Sequence, residues 1–279
     1  MNVFFVCGAP KSGTTWLQRL LDAHPQVACA GEGHFIERFT APLSQLVSSY
    51  NRQMLLEVEE VYEGRPAYGP VNQAEFDEVA RTFILNRMMS RRAGPEVRWI
   101  GDKTPRYTHY LPQLHRLFPA ARIIHIVRDP RDVAVSRMAH SKRAGAPDAL
   151  TPGTEPYWAT VKDAVQLWNE AVRDVDAFAA AHPRLVHELR YCDLQADPTA
   201  ETARLFGFLG VDTGAPLLER VVAAASFEAL SGRRPGEEDP DSFLRKGVSG
   251  DWKTQLDPPS AQLVLAACGE LMRAKRFVD

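Results

Sequence analysis

Apolar positions along the chain alternate between two patterns. NVFFVC (2–7) is a continuous apolar run of strand length. After it, Trp16, Leu17, Leu20 and Leu21 fall on one face of a helix that should stop before Pro25. QVACA (26–30) reads as a short strand, and residues 37–95 read as mainly helical without sharp boundaries. VRWI (97–100) is a short apolar strand ending at GDKTP. RIIHIV (122–127) is a stronger strand that runs into RDPRD, where Asp129 can cap a helix and Pro130 can take its first position. A Gly/Pro-rich loop over 144–156 precedes a long amphipathic helix marked by Val161, Val165, Trp168, Val172 and Val175. RLVHELRY is a further strand, and helices follow near 198–209 and 214–225. Residues 231–251 are rich in Gly, Pro and charge and read as a loop, and Pro258 opens a last helix.

Strands alternating with helices predict an α/β fold, a three-layer domain around a mostly parallel central sheet. Ligands of such sheets sit outside the carboxyl ends of the strands. Residues 8–16, 101–106, 128–136 and 191–193 are polar and each follows a predicted strand. A single pocket should therefore collect them.

Composition narrows the partners. The chain has 279 residues, 45% apolar and 24% charged, with a net charge of −2. That balance argues against bulk electrostatic binding of nucleic acid and leaves room for a local basic pocket. Cys7, Cys29, Cys192 and Cys268 form no C-x-x-C pair, which suits a reduced compartment and predicts neither a disulfide framework nor zinc. MNVFFVCG lacks a basic leader region, and no apolar run reaches the roughly 20 residues of a membrane span. The expected location is the cytoplasm, with no membrane partner.

The first polar motif, CGAPKSGTTW (7–16), carries the chemistry. Gly8 and Gly13 have the spacing of a nucleotide-binding G-x-x-x-x-G-K-[ST] loop, but Thr14 stands where the lysine belongs and the lysine is Lys11. Successive backbone N–H groups can cradle an anion, and a helix starting near Thr14 adds its positive end. Ser12, Thr14 and Thr15 add hydroxyls and Lys11 a charge. The residues describe a phosphate site whose ligand does not need a lysine after the second glycine.

PKSGTTW resembles the 5′-phosphosulfate loop of sulfotransferases that use 3′-phosphoadenosine 5′-phosphosulfate (PAPS) and release 3′-phosphoadenosine 5′-phosphate (PAP). The resemblance implies that Lys11 meets the bridging oxygen and sulfonate, that Ser12, Gly13, Thr14 and Thr15 hold the 5′-phosphate, and that no metal ion is needed. It implies that Trp16 offers a face to adenine; a core aromatic on a helix is the other reading. IVRDPRDVAVSR is similar to the family's 3′-phosphate element, which assigns Arg128 and Ser136 to that phosphate. Taken alone, Arg128, Asp129, Arg131 and Asp132 could equally be a surface ion network. LRKGVSGDWK resembles the "RKG…GDWK" element of cytosolic members, which implies that Arg245, Lys246 and Gly247 complete the 3′-phosphate site. Tyr191 and Ser226–Phe227 echo adenine-side positions, with ordinary packing as the alternative.

The acceptor side departs from the cytosolic pattern. Those enzymes carry a catalytic His in a "KTH" stretch, whereas this chain reads DKTPRY, with Pro105 after Thr104. Here it resembles the tyrosylprotein and heparan-type sulfotransferases, with an acidic base shortly after the first helix and a lysine before a proline. AGEGHF supplies Glu32 as the expected base with His34 as the competing one, and GDKTP supplies Lys103. Lys103 would stabilise the sulfonyl group, or form a salt bridge with Asp102 or Glu32. The resemblance implies one sulfotransferase domain over 1–279, acting on a small-molecule or peptide hydroxyl. The alternatives are a P-loop-type small-molecule kinase, for which GTTW offers no lysine, and a non-catalytic nucleotide-binding module, which would not need Glu32 or Lys103.

Overall fold

The computed structural model describes residues 1–65, 68–90 and 94–278. Its centre is a five-stranded, wholly parallel sheet in the order β2-β3-β1-β4-β5. The strands are β1 (Asn2–Cys7), β2 (Val27–Gly31), β3 (Trp99–Lys103), β4 (Arg122–Val127) and β5 (Val186–Arg190). The chain leaves β1 toward one sheet edge and later crosses back to place β4 on the other side of β1. Such a reversal opens a crevice at the carboxyl ends of the strands.

Alternate residues of β1 serve the two faces. Phe4 and Val6 pack with Leu17, Leu20 and Leu21 of α1 (Thr14–Asp22), while Phe5 and Cys7 pack with Tyr107, Leu111 and Leu114. All of these are buried, so the three expected layers are present. The expected helical stretch holds a π turn (Ile36–Thr40), α2 (Ala41–Glu60) and α3 (Gln73–Met89). The parts of that expectation on 66–67 and 91–93 lie outside the described residues. A 3₁₀ turn (Pro105–Tyr110) leads into α4 (Leu111–Leu117). Then α5 (Pro130–Arg143) starts as predicted: Asp129 accepts a hydrogen bond from the Arg131 amide at 2.9 Å, and Pro130 takes the first position. The helix α6 (Glu155–Ala181) buries Val161, Val165, Trp168, Val172 and Val175. After β5 come α7 (Tyr191–Ala196), α8 (Pro198–Leu209), α9 (Ala215–Ala224), α10 (Phe227–Ser231), α11 (Trp252–Gln255) and α12 (Pro258–Ala274). Among the described residues, no helix is long and apolar enough to cross a membrane.

Three boundaries differ from the sequence reading. β3 begins at Trp99 and runs through Gly101 and Asp102 to Lys103, past the apolar run. Polar residues can end this strand because both are partnered in the interior, as described below. Gly101 is required where it is, since a Cβ there would lie 2.3 Å from the Phe4 ring. α7 starts at Tyr191, directly off the strand, and a short 3₁₀ turn (Pro147–Leu150) sits in the loop before α6.

Residues 232–251 form an irregular strap, as expected for that composition. It is anchored rather than loose. The Asp132 carboxylate, on the first turn of α5, accepts from the amides of Gly250 (2.8 Å) and Trp252 (3.0 Å). Burial raises the Asp132 pKa, against the lowering effect of Arg128 and these two amides.

Candidate active site

Parallel register aligns the strand ends. Val6 and Gly31 both pair with Lys103, Cys7 pairs with His125, and Val127 pairs with Arg190. The residues that follow, Gly8, Glu32, Thr104, Arg128 and Tyr191, therefore rim one crevice. A cavity of about 550 Å³ opens there. Lys11, Gly13, Thr14, Thr15 and Trp16 line it from the first loop, Glu32 and His34 from the segment after β2, and Arg128 and Ser136 from β4–α5. Tyr191, Phe227, Arg245, Lys246 and Gly247 line the remainder. All four segments expected in one pocket contribute to it, 101–106 only through Pro105 and Arg106.

The loop is shaped as an anion cradle. Gly13 has φ 101°, and a Cβ there would lie 2.5 Å from the Tyr191 ring. A Cβ on Gly8 would lie 2.5 Å from the Ile126 carbonyl oxygen. Lys11 also adopts a positive φ of 77°. The first-turn N–H groups of α1 have no carbonyl one helical turn earlier, so they are free to face an anion. Burial, and then the charges of Arg143, Arg128 and Arg137, pull the Lys11 pKa down to about 8. Accumulated positive charge of this kind favours an anionic ligand.

Ser12 is the exception in the loop. Its side chain is fully buried and does not line the cavity, and its amide bonds back to the Ala9 carbonyl at 3.1 Å. Its Oγ has no partner. The turn at Gly13 thus encloses a hydroxyl that no protein group satisfies.

Arg128 is central to the opposite wall. Its guanidinium donates to the carbonyls of Lys11 (3.3 Å) and Val248 (2.9 Å), joining loop to strap, and lies over the Tyr191 ring at 4.5 Å. Its Nε is buried with no hydrogen-bond partner, an uncommon state for a buried donor. The surface network weighed above is only partly formed: Arg131 pairs with Asp129 at 2.6 Å, while Arg128 lies 4.0 Å from Asp132. Arg245 and Lys246 face the cavity but are already paired, Arg245 with Asp251 and with Glu238 (2.6 Å), Lys246 with Asp251 (2.7 Å). At Gly247 (φ 63°) a Cβ would lie 2.3 Å from the Phe227 ring, so the strap passes tightly over this aromatic. Trp16 is packed as a core-edge aromatic, with its indole N–H on the Ala225 carbonyl (2.8 Å) and its ring edge-on to Tyr191 (5.3 Å), and also reaches the cavity.

Glu32 and His34 line the cavity, whereas Lys103 is not among the lining residues and reaches it through Glu32 and Thr15. The Lys103 ammonium, nearly buried, donates to Glu32 Oε1 at 2.6 Å and to Thr15 Oγ1 at 3.3 Å. His34 Nε2 lies 3.3 Å from Glu32 Oε2, and its Nδ1 lies 3.5 Å from Glu37. Partial burial works against ionisation of Glu32, but the Lys103 ammonium and then His34 outweigh it and hold the carboxyl below its ordinary value. Of the two salt bridges considered for Lys103, the structure contains the one with Glu32.

Asp102 has a different task, which sequence reasoning missed. It is 1% exposed and accepts from Gly33 N (3.0 Å), Thr104 Oγ1 (2.9 Å) and Tyr107 Oη (2.7 Å). Thr104 and Tyr107 in turn accept from the amides of His34 (3.3 Å) and Phe35 (3.4 Å). This cage holds residues 32–35, where Glu32 (φ 36°) and His34 (φ 47°) have left-handed backbones. Such conformations persist only when the surroundings enforce them. Also missed were Gln195, whose side-chain amide donates to the Gly247 carbonyl, and the cavity-lining residues Arg106, His140, Arg143 and Phe243. The i, i+4, i+7 spacing of Ser136, His140 and Arg143 was the available signal.

Comparison with known proteins agrees with this geometry. Residues 4–214 match the family model described as "Sulfotransferase family". Over 172 residues the chain is 27% identical to "Protein-tyrosine sulfotransferase 1" of Danio rerio, covering 62% of this chain and 42% of that protein. The matched region thus spans less than half of that relative's length. A crystal structure of a mouse sulfotransferase complexed with PAP superposes with a TM-score of 0.61 at 21% identity, covering 98% of this chain and 85% of that one. The sulfotransferase domain from the curacin biosynthetic pathway gives 0.57 at 19% identity, covering 95% and 96%. At these identities the two structures bear on the fold.

Proposed function

The chain belongs to the sulfotransferase family, and from that premise we propose that it moves a sulfonyl group from PAPS to the hydroxyl of an acceptor, as one domain over 1–279. The observation that carries this reading is one cavity lined by a phosphate-type loop, Arg128 and Glu32, with the buried Lys103 paired to Glu32 behind the lining. The fit to a two-phosphate nucleotide rests on the left-handed turn at Lys11 and Gly13 at the start of α1 and on the unpartnered Nε of Arg128.

Lys11, Gly13, Thr14 and Thr15 would hold the 5′-phosphosulfate, with the buried Ser12 shaping the turn beneath them. Arg128, Ser136, Arg245, Lys246 and the Gly247 amide would hold the 3′-phosphate. For Arg245 and Lys246 this means sharing their charge between Asp251 and the phosphate. Trp16, Tyr191 and Phe227 would flank the adenine. When bound, the donor supplies a sulfonyl group on a phosphate leaving group.

Glu32 then takes the proton from the acceptor hydroxyl as that oxygen attacks in line. Lys103, shared between Glu32 and Thr15, stands where charge develops on the sulfonyl oxygens, and Lys11 stands toward the bridging oxygen. Both would act by electrostatic stabilisation from preset positions. His34 orients the carboxylate through Oε2. The cationic work falls to lysines, so no metal ion has a role. Free and mostly buried cysteines support a cytoplasmic site of action.

The experiment is transfer of label from radiolabelled PAPS to a panel of alcohols, phenols, sugars and peptides. Labelled product is expected with at least one class. No product from any class, in a protein that binds PAP, would make it a nucleotide-binding module instead.

A further inference from the structure

The cavity carries more positive charge than the donor's phosphates account for. On α5, Ser136, Ala139, His140 and Arg143 form one stripe, and all four line the cavity. At 1.5 Å per residue, Arg143 lies about 10 Å along the helix axis beyond Ser136. That is past Ser136, the α5 residue assigned to the 3′-phosphate. Its charge helps, after burial, to depress the Lys11 pKa. His140 is itself held low by burial and then by Lys11, Arg143 and Arg137.

The neighbouring arginines are neutralised. Arg137 pairs with Asp163, and Arg106 lies 3.5 Å from Glu37. Arg143 instead donates to the neutral Pro240 carbonyl at 3.1 Å and makes no ion pair among the described residues. Opposite, Phe243 is 59% exposed, and Lys11 Nζ sits 4.8 Å from its ring centroid. This part of the cavity thus offers one apolar wall, Phe243, and one guanidinium without an ion pair among the described residues. A guanidinium presents a planar fork of donors that matches carboxylate or phosphate oxygens.

We propose that Arg143, with His140 beside it, is an anion subsite of the acceptor pocket, and that the acceptor is a small hydroxy compound carrying a carboxylate or a phosphate. The inference rests on the sulfonyl-transfer reading above. It adds a specificity-determining residue at a place where the motifs of the donor site do not reach.

The test uses matched pairs: para-hydroxyphenylacetate and its methyl ester, β-hydroxybutyrate and its methyl ester, glycerol phosphate and glycerol. Binding to the PAP-saturated protein is measured by calorimetry, and transfer with labelled donor. At least one anion should exceed its neutral partner by about tenfold or more in affinity and in kcat/KM. The carboxylate and phosphate arms tell which anion it is. Arg143→Met, which keeps the apolar stem, should erase the preference of the PAP-saturated protein for the anion over its neutral partner, and Arg143→Lys should restore part of it. Neutral partners that do as well as the anions in every pair, including a panel in which neither binds, would overturn the subsite. So would a preference that survives Arg143→Met. Failure of the native protein to bind PAP would instead overturn the donor reading, and the subsite with it.

Discussion

Glu32 and Lys103 are joined twice. The Glu32 amide donates to the Lys103 carbonyl at 2.7 Å, and the Lys103 ammonium donates to Glu32 Oε1 at 2.6 Å. The first bond continues the β2–β3 ladder one residue beyond the Gly31–Lys103 pair. The second brings an acid and a lysine from distant sequence into contact at the end of that ladder. Strand pairing itself thus sets the geometry of the proposed base. While paired, the carboxylate is ionised and its charge is balanced. Engagement of Lys103 by a sulfonyl group would leave Glu32 a stronger base at the moment the acceptor loses its proton.

The two separated basic regions predict nucleotide preference. PAP should bind far more tightly than AMP or ATP in calorimetry without Mg²⁺. ATP binding as well as PAP would end the assignment. Arg128→Ala should cost at least about 2 kcal/mol of PAP affinity, since a buried charged donor to phosphate is lost. Arg128→Lys should recover little of it. A lysine keeps the charge but cannot also reach the carbonyls of Lys11 and Val248 with a fork.

Lys11 predicts a proton-linked binding step. Its pKa is about 8 in the free protein. An anion beside it favours the charged form and raises that value. Binding PAP above pH 8 should therefore take up a proton, and affinity should fall as pH rises through about 8. Near neutral pH the uptake should vanish, because Lys11 is already charged. Calorimetry at alkaline pH in buffers of different ionisation enthalpy measures the uptake, and Lys11→Met should abolish it. Lys11→Ala should also reduce single-turnover rate by more than it reduces PAP affinity, as expected of a group that meets charge developing in the transition state. Equal losses would make it a phosphate ligand only.

What could be read from the sequence was whatever lies on one element. Continuous apolar runs gave β1 and β4, and the Asp129–Pro130 cap gave the start of α5 within a residue. The loop, Arg128 and the strap motif were legible because their residues are adjacent in sequence. The carboxyl end of β3 was not, because Asp102 and Lys103 are buried polar residues whose partners lie some 70 positions away. Local periodicity carries no trace of such pairings. For the same reason the burial of Ser12 was not legible: composition shows a hydroxyl, and only the backbone turn shows that it is enclosed.

The cage around Asp102 gives a prediction about positioning. Asp102→Asn replaces one acceptor oxygen by an NH₂ group, which would confront the Gly33 amide or the two hydroxyls with a second donor. An unsatisfied buried donor costs about 1–3 kcal/mol, so thermal or urea unfolding should show a loss in that range. The more telling readout is a split in kinetics. The kcat should fall because residues 32–35 lose their anchor, while PAP affinity should stay near native because no donor-site residue is touched. Intact kcat with lowered stability would make Asp102 a fold residue only.

The decisive prediction concerns the base. Glu32→Gln keeps the size and can still accept a hydrogen bond from Lys103, but it cannot take a proton. Loss of a general base costs roughly 10²- to 10⁴-fold in rate. PAP binding should change little, since Glu32 is not among the proposed nucleotide contacts. Because Lys103 and His34 hold the native carboxyl below its ordinary value, Glu32 stays ionised across the neutral range. The acid limb of the kcat/KM profile, which reports the free protein, should therefore lie below the usual carboxylate value and disappear in Glu32→Gln. The loss should be smaller for a phenol than for an aliphatic alcohol, whose proton is harder to remove. His34→Ala is the paired control. If His34 only orients Glu32 through Oε2, at 3.3 Å, its removal should cost less than loss of the carboxylate. Single-turnover transfer at saturating donor measures both variants. Near-native rate in Glu32→Gln with collapse in His34→Ala would move the base to His34 and leave the donor site unchanged.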